Sequence, residues 1–318
     1  MQKREILITQ DHIGKRVDNF LLGRFKTVPK SLIYKLLRNK SIRVNNKKVA
    51  AHYKVCEKDV ITLPNSLIIT EQDPRNINVS TNVSGLLLDN IIFEDENFLV
   101  LNKPYSLAVH MGSGIDYGVV EALRSIRFNQ TGRKSFIELA HRLDRDTSGC
   151  LLFAKKSSVL KQLHELFRNR EIQKTYHMLV HGLWSRKLNK ISAPLLKNVV
   201  RSRERIVRVS DEGKEAVTTF QLLESFETVS LVAAHPHTGR THQIRVHAEH
   251  AGHAIIGDEK YADNALNQVV KQKYGVRRLC LHAHKIQFNL FDKKYSFTAE
   301  YDEVWKSIIK RLSIHAVK

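Results

Sequence analysis

A cluster of mixed charge runs straight into a wholly apolar stretch: His141-Arg142-Leu143-Asp144-Arg145-Asp146-Thr147-Ser148-Gly149, then Cys150-Leu151-Leu152-Phe153-Ala154. A short apolar run behind a turn reads as a buried strand. The charged cluster therefore belongs to a loop held against the core, not to a free surface. Asp144 lies between Arg142 and Arg145, and flanking cations favour an ionised carboxylate. A carboxylate kept anionic in a cleft is what a nucleophile or a proton-transfer group requires. The competing reading is a structural ion cluster, or a helix start capped by Asp146 or Ser148.

Length allows a sizeable core and two domains, since the chain has 318 residues. Its formal charge of +20 is unusual, and half of it sits in residues 1–63, with 15 Lys/Arg against 5 Asp/Glu. A lysine-rich composition alone spreads charge evenly, whereas a clustered excess is the footprint of a polyanion binder, most often of nucleic acid. Cys56, Cys150 and Cys280 lie far apart without CxxC spacing. That argues against a disulfide framework or a cysteine-rich zinc site and suits a reducing compartment. The sequence lacks an apolar stretch of membrane-spanning length, and MQKREILITQ is too charged for a signal peptide. A soluble, cytoplasmic protein is expected.

Residues 1–64 read as a small α/β module. Arg16 to Leu22 opens one helical pattern and Pro29-Lys30-Ser31 a second, with Leu32, Ile33, Leu36 and Leu37 at helical spacing. Ile42-Arg43-Val44 and Val49-Ala50 around Asn45-Asn46 read as a hairpin, and Val60 to Leu63 as a closing strand. Lys30, Lys35 and Arg38 lie off the apolar stripe, and Arg43, Lys47 and Lys48 follow. Such charges usually mark a solvated face; their single sign points to RNA or phosphate. Residues 65–90, rich in Asn, Ser, Thr and Pro, read as a linker. A larger domain, 91–318, is expected to have helices near 118–127, 158–169, 241–251 and 301–312. Strands are expected near 150–154, 175–183, 216–224, 229–234 and 280–289. Strands outnumber helices without regular alternation, which predicts an α+β fold with a mixed sheet.

Two further segments compete with 141–149. His235 to His247 carries a Thr238-Gly239 turn into a helix, with His242 and Arg245 on or near one face. Arg245 is placed to pair with a carboxylate from another loop. Lys174-Thr175-Tyr176 puts an aromatic hydroxyl at a strand entrance, where a core or interface role is the commoner one. His247, His250, His253, His282 and His284 invite a metal reading, but Gly252 ends the helix before His253 and no HExxH is present. Metal ligation is not expected. Without GxGxxG, GxxxxGKS or GxSxG, nucleotide cofactors, NTP hydrolysis and serine hydrolysis are not expected either.

Residues 1–64 resemble the S4 RNA-binding domain through Arg16, Asp18, Pro29-Lys30-Ser31, Tyr34, Arg43-Val44-Asn45 and Val60-Ile61, departing from it at Asn39-Lys40, where a glycine turn is common. The chain as a whole resembles the RluA family of pseudouridine synthases. The matching segments are Asn102-Lys103-Pro104, HRLDRDTSG, Ala193 to Asn198, Glu204 to Val209, TGRTHQIRVH and Leu281-His282-Ala283. One departure is Tyr105-Ser106, where a glycine commonly follows the Lys-Pro pair.

The resemblance implies a catalytic domain of pseudouridine synthase type with a mainly antiparallel sheet. It implies Asp144 as the catalytic aspartate, by covalent addition or by a glycal route. Tyr176 matches the tyrosine that stacks on the base and removes the C5 proton, and Arg245 the arginine paired with the aspartate. Arg142 matches the arginine inserted where the base left the stack, and Leu281 an apolar residue under the uracil. The implied substrate is 23S ribosomal RNA or a large-subunit precursor, at three uridines near the peptidyl transferase region. The chain is expected to work as a monomer without cofactor, metal or membrane. Rival readings are a non-catalytic RNA-binding or assembly factor, and a metal-dependent hydrolase built on the histidines.

Overall fold

A computed structural model of the chain describes residues 4–25, 28–64, 67, 77, 79–111, 117–201 and 204–316. The N-terminal apolar positions close around a core of their own, in which Val17, Leu21, Ile33, Leu37, Ile42, Ile61 and Leu67 are buried. Its elements are β1 (Arg4–Leu7), α1 (Val17–Arg24), α2 (Lys30–Arg38), β2 (Arg43–Val44) and β3 (Val60–Leu63). The three strands form an antiparallel sheet in the order β1-β3-β2. In α2, Ile33 and Leu37 face inward four residues apart, and Lys30, Lys35 and Arg38 are left exposed.

The expected hairpin forms only in part. Asn45 and Asn46 adopt left-handed backbones (φ 50° and 60°), and Val44 and Lys47 exchange backbone hydrogen bonds of 3.0 and 2.9 Å. The partner of β2, however, is β3 and not Val49-Ala50. The Asn45 side chain donates to Asp59 at 2.7 Å and accepts from the Val60 N–H at 2.8 Å, which ties the turn to β3.

Residues 65–90 also differ from expectation. Most of 65–78 lies outside the described residues, but 81–89 is not linker: it forms α3 (Thr81–Asp89). Ser80 caps this helix by accepting from the Val83 N–H at 3.3 Å. Leu87 is buried in the same core as Leu101 and Leu123.

The larger body continues with β4 (Ile91–Glu94), β5 (Phe98–Lys103), α4 (Val119–Thr131), β6 (Glu138–Leu139), β7 (Ser148–Ala154), α5 (Ser157–Arg168) and β8 (Gln173–His181). There follow β9 (Lys190–Ser192), β10 (Leu195–Arg201), β11 (Glu204–Val209), β12 (Val217–Ser225), β13 (Val229–Pro236) and α6 (Gln243–His250). The last elements are α7 (Asn264–Tyr274), β14 (Leu281–Leu290), β15 (Lys293–Thr298) and α8 (Glu303–Ala316). One ten-stranded sheet runs β4-β5-β7-β14-β8-β13-β12-β9, with β15 on β14 and β6 on β7, while β10 and β11 form a separate hairpin. Among the described residues of this sheet only β7 and β14 run parallel; the other pairs are antiparallel. This is the α+β, mainly antiparallel architecture expected.

The apolar run 150–154 is continuous because both faces of β7 are covered. Leu151 and Phe153 point into one core, and Cys150, Leu152 and Ala154 into another. The parallel pairing with β14 brings backbones so close at Gly149 (φ 106°) that a Cβ there would lie 2.3 Å from the Ala283 carbonyl oxygen. Glycine is obligatory at the point where the charged loop becomes strand. Among the described residues no helix is long and apolar enough to cross a membrane.

Candidate active site

The loop 141–147 leads into the central strand and is held from two sides. His141 accepts the Leu152 N–H on its Nε2 at 3.2 Å, which requires a neutral ring at that nitrogen. Burial pushes its pKa down to about 3, with Lys174 adding to the effect. From β5, the buried Lys103 ammonium donates to three carbonyls: Pro104 at 2.8 Å, Leu107 at 2.9 Å and Arg145 at 2.8 Å. Burial pulls its pKa down to about 7, and in the charged form each of the three protons has a carbonyl. This one side chain ties the loop after β5 to the loop that carries Asp144.

Ser106, exposed beside that lysine, has φ 69°. The departure at Tyr105-Ser106 is therefore one of residue and not of backbone: a serine takes the left-handed conformation that glycine adopts readily. The same holds at Asn39-Lys40, where Lys40 has φ 61°.

Asp144 lies on the wall of a cleft of about 540 Å3 that Arg142, Tyr176, Arg245 and Leu281 also line. Five residues singled out from the sequence are thus brought together from a loop, β8, α6 and β14. Arg245 donates from Nη1 to Asp144 Oδ2 at 3.2 Å. Its other nitrogens grip Asp258 in two parallel bonds, Nε to Oδ2 at 2.7 Å and Nη2 to Oδ1 at 2.8 Å. Asp258 also accepts the N–H groups of Lys260 and Tyr261 at 3.0 and 3.1 Å, so the 258–261 turn is built around it. The bidentate geometry fixes the guanidinium plane, and the Tyr261 ring lies 5.0 Å from the guanidinium carbon. Arg245 has one hydrogen-bonding edge left for the cleft, and Asp144 occupies it.

Tyr176 is on β8, opposite Ala234 of β13. Burial pushes its phenol pKa up, and the Asp144 carboxylate adds to the shift. The phenol is therefore protonated at rest. Leu281, the first residue of β14, is 4 % exposed and forms part of the apolar wall. Arg142 is exposed on the rim and borders a second groove of about 1220 Å3, on whose lining lie Arg145, Lys260, Lys271 and Arg277.

In the N-terminal module Lys30, Lys35, Arg38, Arg43, Lys47 and Lys48 are all exposed. Beside them the buried Asp18 accepts from Arg16 at 2.6 and 3.1 Å and from the Tyr34 hydroxyl at 3.2 Å.

Two of the histidines that invite a metal reading, His247 and His282, are engaged elsewhere. His247 contacts Thr218 Oγ1 through Nδ1 at 2.9 Å and the Ala193 carbonyl through Nε2 at 3.1 Å. His282 contacts Ser148 Oγ at 2.8 Å and the Ala299 carbonyl at 3.0 Å. Among the described residues no group of three or more His, Cys, Asp or Glu is arranged to hold a metal ion.

Sequence reasoning missed Asp258, Tyr261 and the role of Lys103. Arg245 and Asp258 stand 13 residues apart across a helix end and a turn, a spacing with no local period. For Lys103 a signal existed: a lysine ending the apolar strand Phe98–Lys103 sits where burial is expected.

Residues 97–250 match the family model described as RNA pseudouridylate synthase. The chain is 45% identical over 307 residues to the ribosomal large subunit pseudouridine synthase C of Haemophilus ducreyi, covering 96% of this chain and 94% of that protein. It is 45% identical over 284 residues to the protein of the same name in Escherichia coli, covering 89% of this chain and 88% of that one. Among solved structures, it is similar to human RNA pseudouridylate synthase domain containing 4, with a TM-score of 0.63 and 27% identity over 73% of this chain and 96% of that one. Human RNA pseudouridylate synthase domain containing 1 gives a TM-score of 0.56 and 26% identity, over 67% and 83%.

Proposed function

Since the chain belongs to the pseudouridine synthase family, an isomerase of uridine in RNA, we propose that its substrate is 23S RNA of the large ribosomal subunit. Within that reading the targets are three uridines near the peptidyl transferase region, reached by a monomer acting in the cytoplasm. Support for the RNA class comes from the names of the curated relatives and from the exposed cations of the N-terminal module. The observation that carries the assignment of the chemistry is the Asp144 carboxylate, anchored by Arg245 in a cleft that Tyr176 also lines.

In this reading the uridine leaves the stack, at a cost of roughly a few kcal/mol, and Arg142 on the rim fills the gap with its guanidinium plane. The phosphate contacts of Lys30, Lys35, Arg38, Arg43, Lys47 and Lys48 offset that cost. Tyr176 stacks on the extruded base and Leu281 packs beneath it. Asp144 acts as the nucleophile: a carboxylate oxygen bonds to C1′ as the C1′–N1 bond breaks, and that new bond breaks again when C1′ joins C5; in the glycal alternative Asp144 instead takes the C2′ proton and returns it. The uracil turns, and a C1′–C5 bond forms in its place. The proton on C5 leaves and N1 ends with one, so no electrons enter or leave. Because Tyr176 is held protonated, it takes the C5 proton only by passing its own to the uracil, whose N1 ends with one.

The test is tritium release from large-subunit RNA labelled at uridine C5. Wild-type protein is expected to release tritium and Asp144→Asn to release at least about 10³-fold less, with RNA affinity retained. Absence of release by the wild type on this RNA would remove the substrate assignment. Equal release by Asp144→Asn would remove the nucleophile.

A further inference from the structure

His242 occupies a position that its backbone does not favour. It precedes α6 with φ 52°, a left-handed conformation that few non-glycine residues adopt, though histidine does so more readily than most, and its side chain makes no capping hydrogen bond to the helix. What holds it there lies across the site. Its Nδ1 is 2.7 Å from the Tyr261 hydroxyl, and that hydroxyl accepts the Val207 N–H at 3.1 Å. The phenol oxygen keeps a second lone pair, so this contact fits either direction; the Asp144 carboxylate opposite Nε2 favours the tautomer in which the phenol donates to Nδ1. An imidazole that accepts at Nδ1 carries its proton on Nε2.

That Nε2 faces Asp144 Oδ2 at 3.8 Å. The same oxygen receives Arg245 Nη1 at 3.2 Å. Two N–H groups three residues apart, one before α6 and one in its first turn, therefore converge on a single carboxylate oxygen. A separation of 3.8 Å exceeds a hydrogen bond, which needs about 3 Å, and such contacts commonly tighten in the reacting complex. Burial lowers the His242 pKa and Arg245 and Lys260 act the same way, against Asp144 and Asp258; the balance favours the neutral donor.

We propose that His242 is a positioning residue for Asp144: its neutral Nε2–H, with Arg245, holds Oδ2 and leaves Oδ1 to meet the substrate, while Tyr261 donates to Nδ1. The inference rests on Asp144 as the nucleophile. It assigns no proton transfer to His242 and adds no bond to the reaction.

The experiment uses the full chain with three variants. His242→Asn suits the left-handed backbone and keeps a group near Nδ1, but nothing reaches Asp144. His242→Gln extends an amide to the place of Nε2. Tyr261→Phe keeps the ring against Arg245 and removes only the hydroxyl. Tritium release from C5-labelled large-subunit RNA is expected to show kcat lowered about 10- to 100-fold in His242→Asn with KM within about twofold. His242→Gln is expected to recover part of the loss, and Tyr261→Phe to lose about threefold to tenfold. Unchanged kcat in His242→Asn, or a loss confined to KM, overturns the proposal, as does failure of His242→Gln to improve on His242→Asn. NMR of the ring nitrogens reads the tautomer without turnover: a proton on Nδ1 overturns the proposal even if the substrate assignment fails. An inactive wild type with the proton on Nε2 counts against the substrate and not against the placement of His242.

Discussion

The N-terminal module and the cleft around Asp144 both carry dense charge, and they carry it in opposite ways. In the module the cations of α2 and of the Asn45-Asn46 turn stand exposed. At the cleft Arg245 is fixed by two bonds to a buried carboxylate, and behind its loop Lys103 is fixed by three carbonyls. Exposed one-sign charge attracts phosphates regardless of sequence and tolerates loss of any single member. Buried paired charge costs desolvation and repays it only in one geometry. In the proposed reading the module supplies affinity and the cleft placement, so that each is open to disturbance without the other.

The largest separation is expected from Asp258→Asn. It halves the negative charge that faces Arg245 and breaks a buried pair, for which losses of about 3–5 kcal/mol are typical. Thermal unfolding followed by tryptophan fluorescence is expected to shift strongly, since Trp184 and Trp305 both lie in the larger body. Turnover is expected to fall by about 100-fold with RNA affinity nearly unchanged. An activity close to wild type would mean that Arg245 is held by Asp144 alone, and the contrast in rigidity would lapse.

Acid separates the regions by another route. Burial depresses His141 and His177 to about 3 and His282 to about 4, and all three are in the larger body. A histidine whose pKa is 6.5 when unfolded and lower when folded contributes stability that is full above pH 6.5. That contribution declines as pH falls from there toward 3–4, because only the unfolded chain takes up the proton. The tryptophan-reported stability is therefore expected to drop steadily below pH 6.5. A flat profile from pH 7 to 4 would show that these rings are solvated in the folded protein.

What was legible in the sequence follows the same division. Asp144 and Arg245 stood out because unusual residue types crowded short segments, Tyr176 took its role only from the family resemblance, and β7, β8, β13 and α6 stood out because period and burial agree there. Asn45-Asn46 made its turn, yet β2 found β3, because Ile42 and Val44 bury against Ile61 in one core and local pattern does not choose a partner. Helix α7 escaped notice because its apolar residues do not all face inward: Leu266 and Val269 are exposed while Val270 and Tyr274 are buried. Asp258 escaped because its partner is set by tertiary folding alone, and Lys103 because its place at the end of an apolar strand signals burial but not the carbonyls it binds.

Alanine at Lys30, Lys35, Arg38, Arg43, Lys47 and Lys48 together tests the affinity half of the comparison. Each phosphate contact contributes about 0.7 to the slope of log affinity against log salt for single-stranded RNA. Loss of six is expected to lower the slope by about 4 and to raise KM tenfold or more at physiological salt, with kcat unchanged. A fall in kcat instead would mean that the module takes part in placement.

The smallest effect compares the regions at equal chemistry. Lys40 in the module and Ser106 beside the cleft are both exposed and both left-handed, with φ 61° and 69°. For an L residue that conformation costs roughly 1–2 kcal/mol, and glycine avoids it while losing about 0.5–1 kcal/mol through a freer unfolded chain. Lys40→Gly and Ser106→Gly are each expected to stabilise by about 0.5 kcal/mol, read as a small rise in unfolding midpoint. The two differ in consequence. Ser106 lies in the 104–107 loop whose carbonyls Lys103 binds, so the freer glycine there is expected to lower kcat slightly. Lys40→Gly, next to exposed cations that need no fixed geometry, is expected to leave kcat alone. A kcat change at Lys40 of the same size as at Ser106 would show that rigidity matters equally in both regions.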